Sequence, residues 1–306
     1  MPKTIAAGAS GAARATADGV GMSRERAIVL CADDFGLSAG IDEGILDLAA
    51  RGRISATGCM VAGPSFAADA GRLAELGDRI DIGLHFALTD LPTLGPVASL
   101  SEGSGAAPAL RDVLVRSVTG RLDYAAIAAE FGRQVGRFRE VMGRSPDFVD
   151  GHQHVHVFPT VRRAVLDAFD GGVLDRRETW IRDCGERLGA IVGRGVEAPK
   201  ALFIAALASG FAARARAAGI VVNAGFGGIT AVEPARVAEV FPRFLRELGA
   251  RPLVMCHPAS PAVAADPGDP IAAARRAEYA YLAGERFVAD LAAGGVRLAR
   301  MAEVAA

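Results

Sequence analysis

Residues 27–38 read AIVLCADDFGLS, a pattern that predicts a strand followed at once by two acidic residues. The apolar run Ala27–Ala32 has the β-branched composition of a strand buried on both faces, and Asp33 and Asp34 stand where it ends. Seven further runs of this kind alternate with segments of helical period: Ile54–Val61, Ile80–Phe86, Asp147–Asp150, Thr179–Arg182, Ile220–Asn223, Pro252–Cys256 and Val296–Ala299. The alternation predicts an α/β fold, a single-domain (β/α)-barrel that is TIM-barrel-like and open to distortion, with a doubly wound open sheet as the alternative.

Composition narrows the choice of partners and of compartment. The chain has 306 residues with 34 Lys+Arg against 35 Asp+Glu, a net charge of -1, so no long-range field would attract nucleic acid or an anionic membrane. No uninterrupted apolar stretch approaches the ~18 residues of a membrane span, so no integral membrane segment is predicted. Four cysteines without a C-x-x-C pair predict buried thiols and a reducing, cytoplasmic location. Residues 1–22 lack periodicity and are predicted to be a disordered tail ahead of one domain over residues 23–306.

All five histidines of the chain follow predicted strands. His85 and His257 end two of them, and three more lie in the segment HQHVH, residues 152–156. In an extended segment, residues spaced by two share a face, so His152, His154 and His156 are predicted to converge. A single histidine of this kind is usually structural. Five at one edge of a sheet, beside two aspartates, indicate a solvent-open site for one divalent metal ion, Zn²⁺ or Mg²⁺.

Other features fall at the same predicted edge. Arg182 and Asp183 end the fifth strand, where they form a salt bridge or, alternatively, Arg182 holds a catalytic carboxylate or a substrate oxygen through two parallel hydrogen bonds. Two loops rich in Pro and Gly, residues 87–123 and 259–270, follow the third and seventh strands, and the first is predicted to overhang the metal. Residues 225–228, GFGG, are predicted to form a tight turn. Absence of H-E-x-x-H, Walker, G-x-S-x-G and complete G-x-G-x-x-G motifs disfavours zincin, nucleotidase, serine-hydrolase and dinucleotide-binding functions.

Four segments that carry these residues resemble the signatures of the YdjC-like carbohydrate deacetylases: ADDFGLS at 32–38, GLHF at 83–86, DGHQHVHVFP at 150–159 and MCHP at 255–258. The resemblance runs in the family's order from about residue 27 to residue 298. That family includes chitooligosaccharide deacetylases and a hopanoid-biosynthesis deacetylase. The resemblance implies a barrel-like α/β fold and metal-dependent removal of an acetyl group from an N-acetylated sugar.

The resemblance also implies roles by position. The implied metal ligands are Asp34, His85 and His152. Asp33 would handle the proton of the attacking water, and His257 falls where related deacetylases place a general acid. Arg182 is the further catalytic candidate. The residues left to contact the substrate or to support the ligands are His154, His156 and Phe35. One departure from the family pattern is ASPA at 259–262, where a glycine often follows His-Pro, and it leaves the substrate contacts of this loop open.

The predicted substrate is a small N-acetylated amino sugar that resembles a chitooligosaccharide. Three alternatives stay open: deacetylation of an N-acetylglucosaminyl hopanoid lipid, metal-dependent phosphoester hydrolysis, and non-catalytic binding of a sugar or metal. A phosphoesterase would need cationic groups at the site, and Arg182 is the clear one among the motifs. A binding protein would need neither Asp33 nor His257. A homodimer is also left open.

Overall fold

The computed structural model describes residues 25–100, 107–230 and 233–304, so the predicted tail at 1–22 lies outside the described residues. The strands are β1 Arg26–Phe35, β2 Ala56–Cys59, β3 Asp81–Phe86, β4 Phe148–Gly151, β5 Trp180–Ile181, β6 Phe226–Gly227, β7 Leu253–Cys256 and β8 Val296–Leu298. The helices are α1 Ala39–Ala50, α2 Phe66–Ala74, α3 Leu110–Val118, α4 Tyr124–Met142, α5 Pro159–Asp170, α6 Leu188–Arg194, α7 Ala198–Leu207, α8 Phe211–Ala217, α9 Val237–Phe244, α10 Ala272–Ala283 and α11 Glu285–Ala293. Short 3₁₀ turns occupy His152–Val157, Pro234–Arg236 and Met301–Glu303.

The strands form one parallel sheet in the order β5-β4-β3-β2-β1-β7-β6. β8 pairs with the first residues of β1, ahead of the stretch that pairs with β7. A single bridge between Ile181 and Val222 connects β5 to the chain just before β6, and so links the two ends of the row. This confirms the predicted barrel and its distortion, since β5 and β6 have two residues each.

The sixth strand was predicted at the wrong place. Ile220–Asn223 contributes the one bridge at Val222, whereas the predicted turn at 225–228 contains β6. Gly225 and Gly228 flank β6 at φ values of 112° and 102°. A Cβ at Gly228 would lie 2.2 Å from the carbonyl oxygen of Met255, so the absence of a side chain lets this segment lie against β7.

Helix prediction failed where glycine or loop composition misled it. The helical period of residues 199–218 predicts a single helix there, but the structure has two, because Gly210 takes φ 75° between α7 and α8. The predicted loop 87–123 contains α3, and α6 was missed. Within that loop Leu88, Val97 and Leu100 are buried in the core, so they attach it to the barrel and are not free to cover a substrate.

The core lies on both sides of the sheet, and all four cysteines are unpaired within it. Cys31 and Cys256 lie on β1 and β7, Cys59 ends β2, and Cys184 follows β5. The prediction of buried thiols is confirmed. Within the described part of the chain, no helix has both the length and the apolar character needed to cross a bilayer.

Candidate active site

The candidate site lies at the carboxyl ends of the strands, where a parallel barrel gathers side chains from distant parts of the chain. β1 supplies Asp33 and Asp34, β3 supplies His85, and the turn after β4 supplies His152. Arg182 follows β5, and His257 follows β7. The strand-end prediction therefore locates this part of the site.

A bulge at the end of β1 brings two adjacent carboxylates to one place. Successive strand residues normally point to opposite faces. The register of β1 against β2 shifts between Ala32 and Phe35, and Asp34 takes a left-handed φ of 77°, which aspartate tolerates better than most residues. Both aspartates consequently face the site and both are buried.

Asp34 is the centre of a histidine pair. Its Oδ1 lies 3.0 Å from His152 Nδ1 and 3.4 Å from His85 Nε2, while its Oδ2 accepts a hydrogen bond of 2.7 Å from Arg275 Nη2. One ligand atom from each of Asp34, His85 and His152 lies within 4.8 Å of the others, and all three residues are buried. These residues fit a divalent metal ion in donor type and in proximity.

The second ring nitrogen of each histidine lies beside a carboxylate, as is usual for histidines that bind a metal. His85 Nδ1 lies 2.7 Å from Asp150 Oδ1, across the β3–β4 pair, and His152 Nε2 lies 2.8 Å from Asp90 Oδ2. Such carboxylates fix the ring and raise its basicity in metal sites. Burial lowers the pKa of His85, but the carboxylates of Asp150 and Asp33 outweigh it and raise that pKa to about 10, because they favour positive charge at this position.

Asp33 faces a different partner. Arg182 donates from Nη1 to Asp33 Oδ2 at 2.7 Å and from Nη2 to Asp33 Oδ1 at 2.6 Å, and its Nη2 also lies 2.6 Å from Asp150 Oδ2. Burial favours the neutral acid, but the guanidinium outweighs it and holds the pKa of Asp33 well below its ordinary value. The guanidinium of Arg182 forms its ion pairs with Asp33 and Asp150 rather than with Asp183, and because Arg182 is fully buried it does not reach a substrate.

Cys31, Asp33 and Asp150 form a second close group of possible ligands. The Arg182 guanidinium contacts both carboxylates of this group. It already supplies their positive charge, so this group is a buried ion network and not a second metal site.

His257 lies on the other side of Asp33. Its Nε2 is 4.0 Å from Asp33 Oδ2, and its side chain is 21% exposed. Its backbone N–H donates to Glu278 Oε2 at 2.5 Å, which fixes the start of the loop after β7. His257 therefore borders the carboxylate and remains accessible from the cavity.

The three histidines of the HQHVH segment do not converge as predicted. The segment forms a 3₁₀ turn in which Gln153 and His154 take φ values of 50° and 63°, so the period-two argument for an extended strand fails. His152 alone reaches Asp34. His156 is buried with Nε2 3.0 Å from the carbonyl oxygen of Arg182, and His154 lies edge-on to the Phe226 ring.

The remaining candidate residues are His154, His156 and Phe35, and they lie in different surroundings. Burial lowers the pKa of His156 to about 4, so this histidine is neutral and structural. His154 lies on the cavity wall. Phe35 is fully buried in the core and does not line the cavity, so of the two roles predicted for it the structure does not place it in contact with a substrate.

The site opens into a cavity of about 890 Å³. Its lining includes charged and polar side chains, among them Asp33, Asp34, His257, Lys200 and Asp266. It also includes aliphatic side chains from three helices and a loop: Ile41, Leu110, Leu114, Ile204, Leu207 and Ile271. Among the described residues, its aromatic members are Phe158 and Phe203, and no Trp or Tyr lines it.

Sequence reasoning missed three residues of this site. Asp150 stands in a quoted motif beside His152, but no spacing argument marked it as a partner of His85. Asp90 lies in a loop with a left-handed φ of 62° and is seen only once that loop is folded. Arg275 is 241 residues from Asp34 and gives no local signal.

Comparison with known proteins agrees with the motifs. Residues 27–293 match the family model described as YdjC-like protein. A chitooligosaccharide deacetylase of Serratia marcescens is 36% identical over 137 residues, which are 45% of this chain and 53% of the relative. That of Yersinia pestis strain Pestoides F is 34% identical over 140 residues, again 45% and 53%. The matches thus span about half the length of these curated relatives.

One solved structure supports the fold. A crystal structure of an Enterococcus faecalis V583 protein, provisionally assigned to cellobiose-phosphate cleavage, superimposes with a TM-score of 0.67 at 17% identity. The superposition covers 92% of this chain and 100% of the other.

Proposed function

The chain belongs to the YdjC-like family, and from that premise we propose that it is a metal-dependent hydrolase that removes the acetyl group from an N-acetylated amino sugar. The observation that carries the proposal is that two adjacent aspartates have different partners. Asp34 faces His85 and His152, whereas Asp33 is held by Arg182 and borders His257. A metal store would need the first arrangement alone.

Asp34, His85 and His152 would hold one divalent cation, with Zn²⁺ and Mg²⁺ as the candidates. When bound, such an ion polarises the amide carbonyl and acidifies water for attack near neutral pH. Arg275 supports this site by binding the Asp34 oxygen that does not face the histidines. Asp90 and Asp150 support it by fixing the two rings.

The chain's own residues would move the protons. Asp33, kept anionic and oriented by Arg182, accepts a proton from the attacking water. His257 delivers one to the amide nitrogen, which leaves as an amine. Each of these steps is a general acid–base contribution worth typically ~10² to 10⁴-fold in rate.

A soluble chitooligosaccharide is the first candidate substrate, because the curated relatives carry that name. The four buried, unpaired thiols suit a reducing compartment, and a cytoplasmic location for the domain at 23–306 is part of the proposal.

A lipid-linked amino sugar is the second candidate, and the cavity itself favours it. Six aliphatic side chains are among those that line the cavity, and they would pack against an apolar group attached to the sugar. The hopanoid glycolipid considered above is one substrate that combines an N-acetylated sugar with an apolar group.

Acetate release tests the proposal. Purified protein should release acetate from chitobiose or from an N-acetylglucosaminyl lipid, lose that activity to a chelator, and regain it with Zn²⁺ or Mg²⁺. Phosphate release from a phosphorylated sugar or p-nitrophenyl phosphate, without acetate release from any N-acetylated sugar, would replace the proposal with a phosphoesterase.

A further inference from the structure

The two ring nitrogens of His154 lie in different surroundings. Nδ1 is 3.6 Å from the Sγ of Cys184, a buried thiol that does not line the cavity. Nε2 has no hydrogen-bond partner among the described residues, and it is not buried. Because His154 lines the cavity, its Nε2 opens to the space that a substrate would enter, while Nδ1 faces the protein.

The hydrogen bonds around Cys184 decide which nitrogen of His154 carries the hydrogen. Burial raises the pKa of the Cys184 thiol well above its ordinary value, so the sulfur keeps its proton. Two ring nitrogens lie near it, His154 Nδ1 at 3.6 Å and His156 Nε2 at 3.7 Å. His156 Nε2 is also 3.0 Å from the carbonyl oxygen of Arg182, which can only accept, so this nitrogen carries a hydrogen and cannot accept another. The thiol therefore donates to Nδ1 of His154.

His154 also differs from the two metal-site histidines in charge. His85 and His152 each have two carboxylates within 4.0 Å, whereas no carboxylate among the described residues lies that close to His154. Nothing there stabilises a second hydrogen on the ring, so His154 is neutral. A neutral imidazole carries one hydrogen, and a hydrogen bond accepted at Nδ1 places it on Nε2. His154 thus presents an N–H donor to the cavity.

We propose that His154 binds the substrate by donating from Nε2–H to one of its oxygen atoms, and that Cys184 is a positioning residue that keeps the hydrogen on Nε2. The inference deepens the proposed function and rests on it for the identity of the substrate. An N-acetylated amino sugar carries hydroxyl and acetyl oxygens that accept such a bond. A donor fixed before the sugar arrives selects an acceptor at that position and disfavours a second donor, such as an ammonium group.

Nitrogen NMR measures the position of the hydrogen without reference to catalysis. The full chain has five histidines, so ¹⁵N labelling of histidine gives five imidazoles, and the one lost in His154→Gln is His154. In the wild type we expect the long-range correlation pattern of the Nε2–H tautomer. Cys184→Ala should turn His154 into a mixture of tautomers, and Cys184→Ser, whose hydroxyl also donates, should restore the Nε2–H form. A wild-type Nδ1–H tautomer, or an unchanged tautomer in Cys184→Ala, would overturn the proposal.

Steady-state kinetics with chitobiose test the contact with the substrate. His154→Gln keeps an N–H donor at the end of the side chain, whereas His154→Met has a similar length and no donor. We expect KM to be about tenfold higher in His154→Met than in His154→Gln with a smaller change in kcat, as for the loss of one hydrogen bond. Equal KM values in the two variants would contradict the contact.

The matched control is Cys59→Ala, which also removes a buried thiol that does not line the cavity. It should leave both the KM and the tautomer of His154 as in the wild type.

Addition of chitobiose to the labelled protein after chelation, which stops turnover, separates this proposal from the proposed function. We expect the His154 Nε2 resonance to move as the sugar binds. An unchanged resonance at every sugar concentration would overturn the contact, whether or not the protein releases acetate. A resonance that moves in a protein without deacetylase activity would reject the hydrolase and keep the contact.

Discussion

At the scale of single residues, the informative contrast is between two carboxylates that are neighbours in sequence and differ in partner. Asp33 is neutralised by Arg182, which also contacts Asp150, and Asp34 is neutralised by Arg275 and two histidines. The alternation of side chains along a strand could not predict these partners, because a bulge and a left-handed residue decide where each carboxylate points.

The contrast predicts opposite effects of two isosteric changes. Asp33→Asn should keep metal content near that of wild type and lower kcat at least ~10²-fold, because it removes a proton acceptor and no ligand. Asp34→Asn should lower metal affinity ~10-fold or more. Metal analysis after dialysis, with steady-state acetate release, measures both. The exposed Asp78→Asn is the control, and loss of metal from Asp33→Asn with retention in Asp34→Asn would reverse the assignment.

His156 predicts a dependence of stability on pH. Burial lowers its pKa in the folded protein to about 4, against an ordinary value of 6.5. Between these values the unfolded chain takes up a proton that the folded protein does not, so the free energy of unfolding falls as the pH falls from about 6.5 to about 4. His156→Gln should reduce that slope, as measured by urea unfolding at several pH values.

The control variant for His156→Gln is Phe211→Leu, which reduces packing beside His156 without removing a titrating group. The ring centroids of Phe211 and His156 are 5.9 Å apart. It should lower stability by ~1 kcal/mol at every pH and leave the slope unchanged. An unchanged slope in His156→Gln would show that other groups carry the acid sensitivity.

At the scale of elements, neighbouring strands position the ligands. His85 on β3 is flanked by β4, which supplies Asp150, and by β2, which supplies Gly58. A Cβ at Gly58 would lie 3.1 Å from both Cβ and Nδ1 of His85. That contact is tighter than ordinary packing, so the ring fits because β2 has no side chain there.

Gly58→Ala should therefore displace the His85 ring and weaken its bond to Asp150. We expect metal affinity to fall ~10-fold or more while the circular dichroism spectrum is kept. Gly136→Ala, on α4 with open space around its Cβ, is the matched control and should raise stability by up to ~1 kcal/mol. Wild-type metal affinity in Gly58→Ala would contradict the packing argument.

What the sequence predicted well is what short-range patterns encode. The strand ends at Asp33, His85 and His257 follow from apolar runs that stop, and a parallel barrel brings such ends together. The turn at His152–Val157 and the placement of β6 depend on left-handed residues and on close backbone contacts, which hydrophobic periodicity does not register. Arg275 and Asp90 reach the site from a helix and a loop, so only the folded chain reveals them.

At the scale of the whole molecule, the site ties together segments from Asp33 to Arg275, so a bound ion should stabilise the entire fold. Ligands that bind the folded state alone add about 2.7 kcal/mol when present at 100 times their Kd. For a domain of this size that corresponds to a rise in Tm of about 4 to 5 °C.

Calorimetry of chelated protein before and after addition of Zn²⁺ or Mg²⁺ measures this rise and identifies the preferred ion. His85→Ala should show a much smaller rise, because it removes one of the three proposed ligands. An equal rise in that variant would locate the stabilising ion elsewhere.

The four thiols, all unpaired and all buried, have a use in the laboratory. The folded protein shields every one of them from solvent. The rate at which they react with an aromatic disulfide reagent therefore measures transient opening of the barrel, without any introduced label. A cysteine introduced as Leu202→Cys, on the exposed side of α7, would react far faster than the native four. A fluorophore could thus be attached at that position alone, with all the original cysteines left in place.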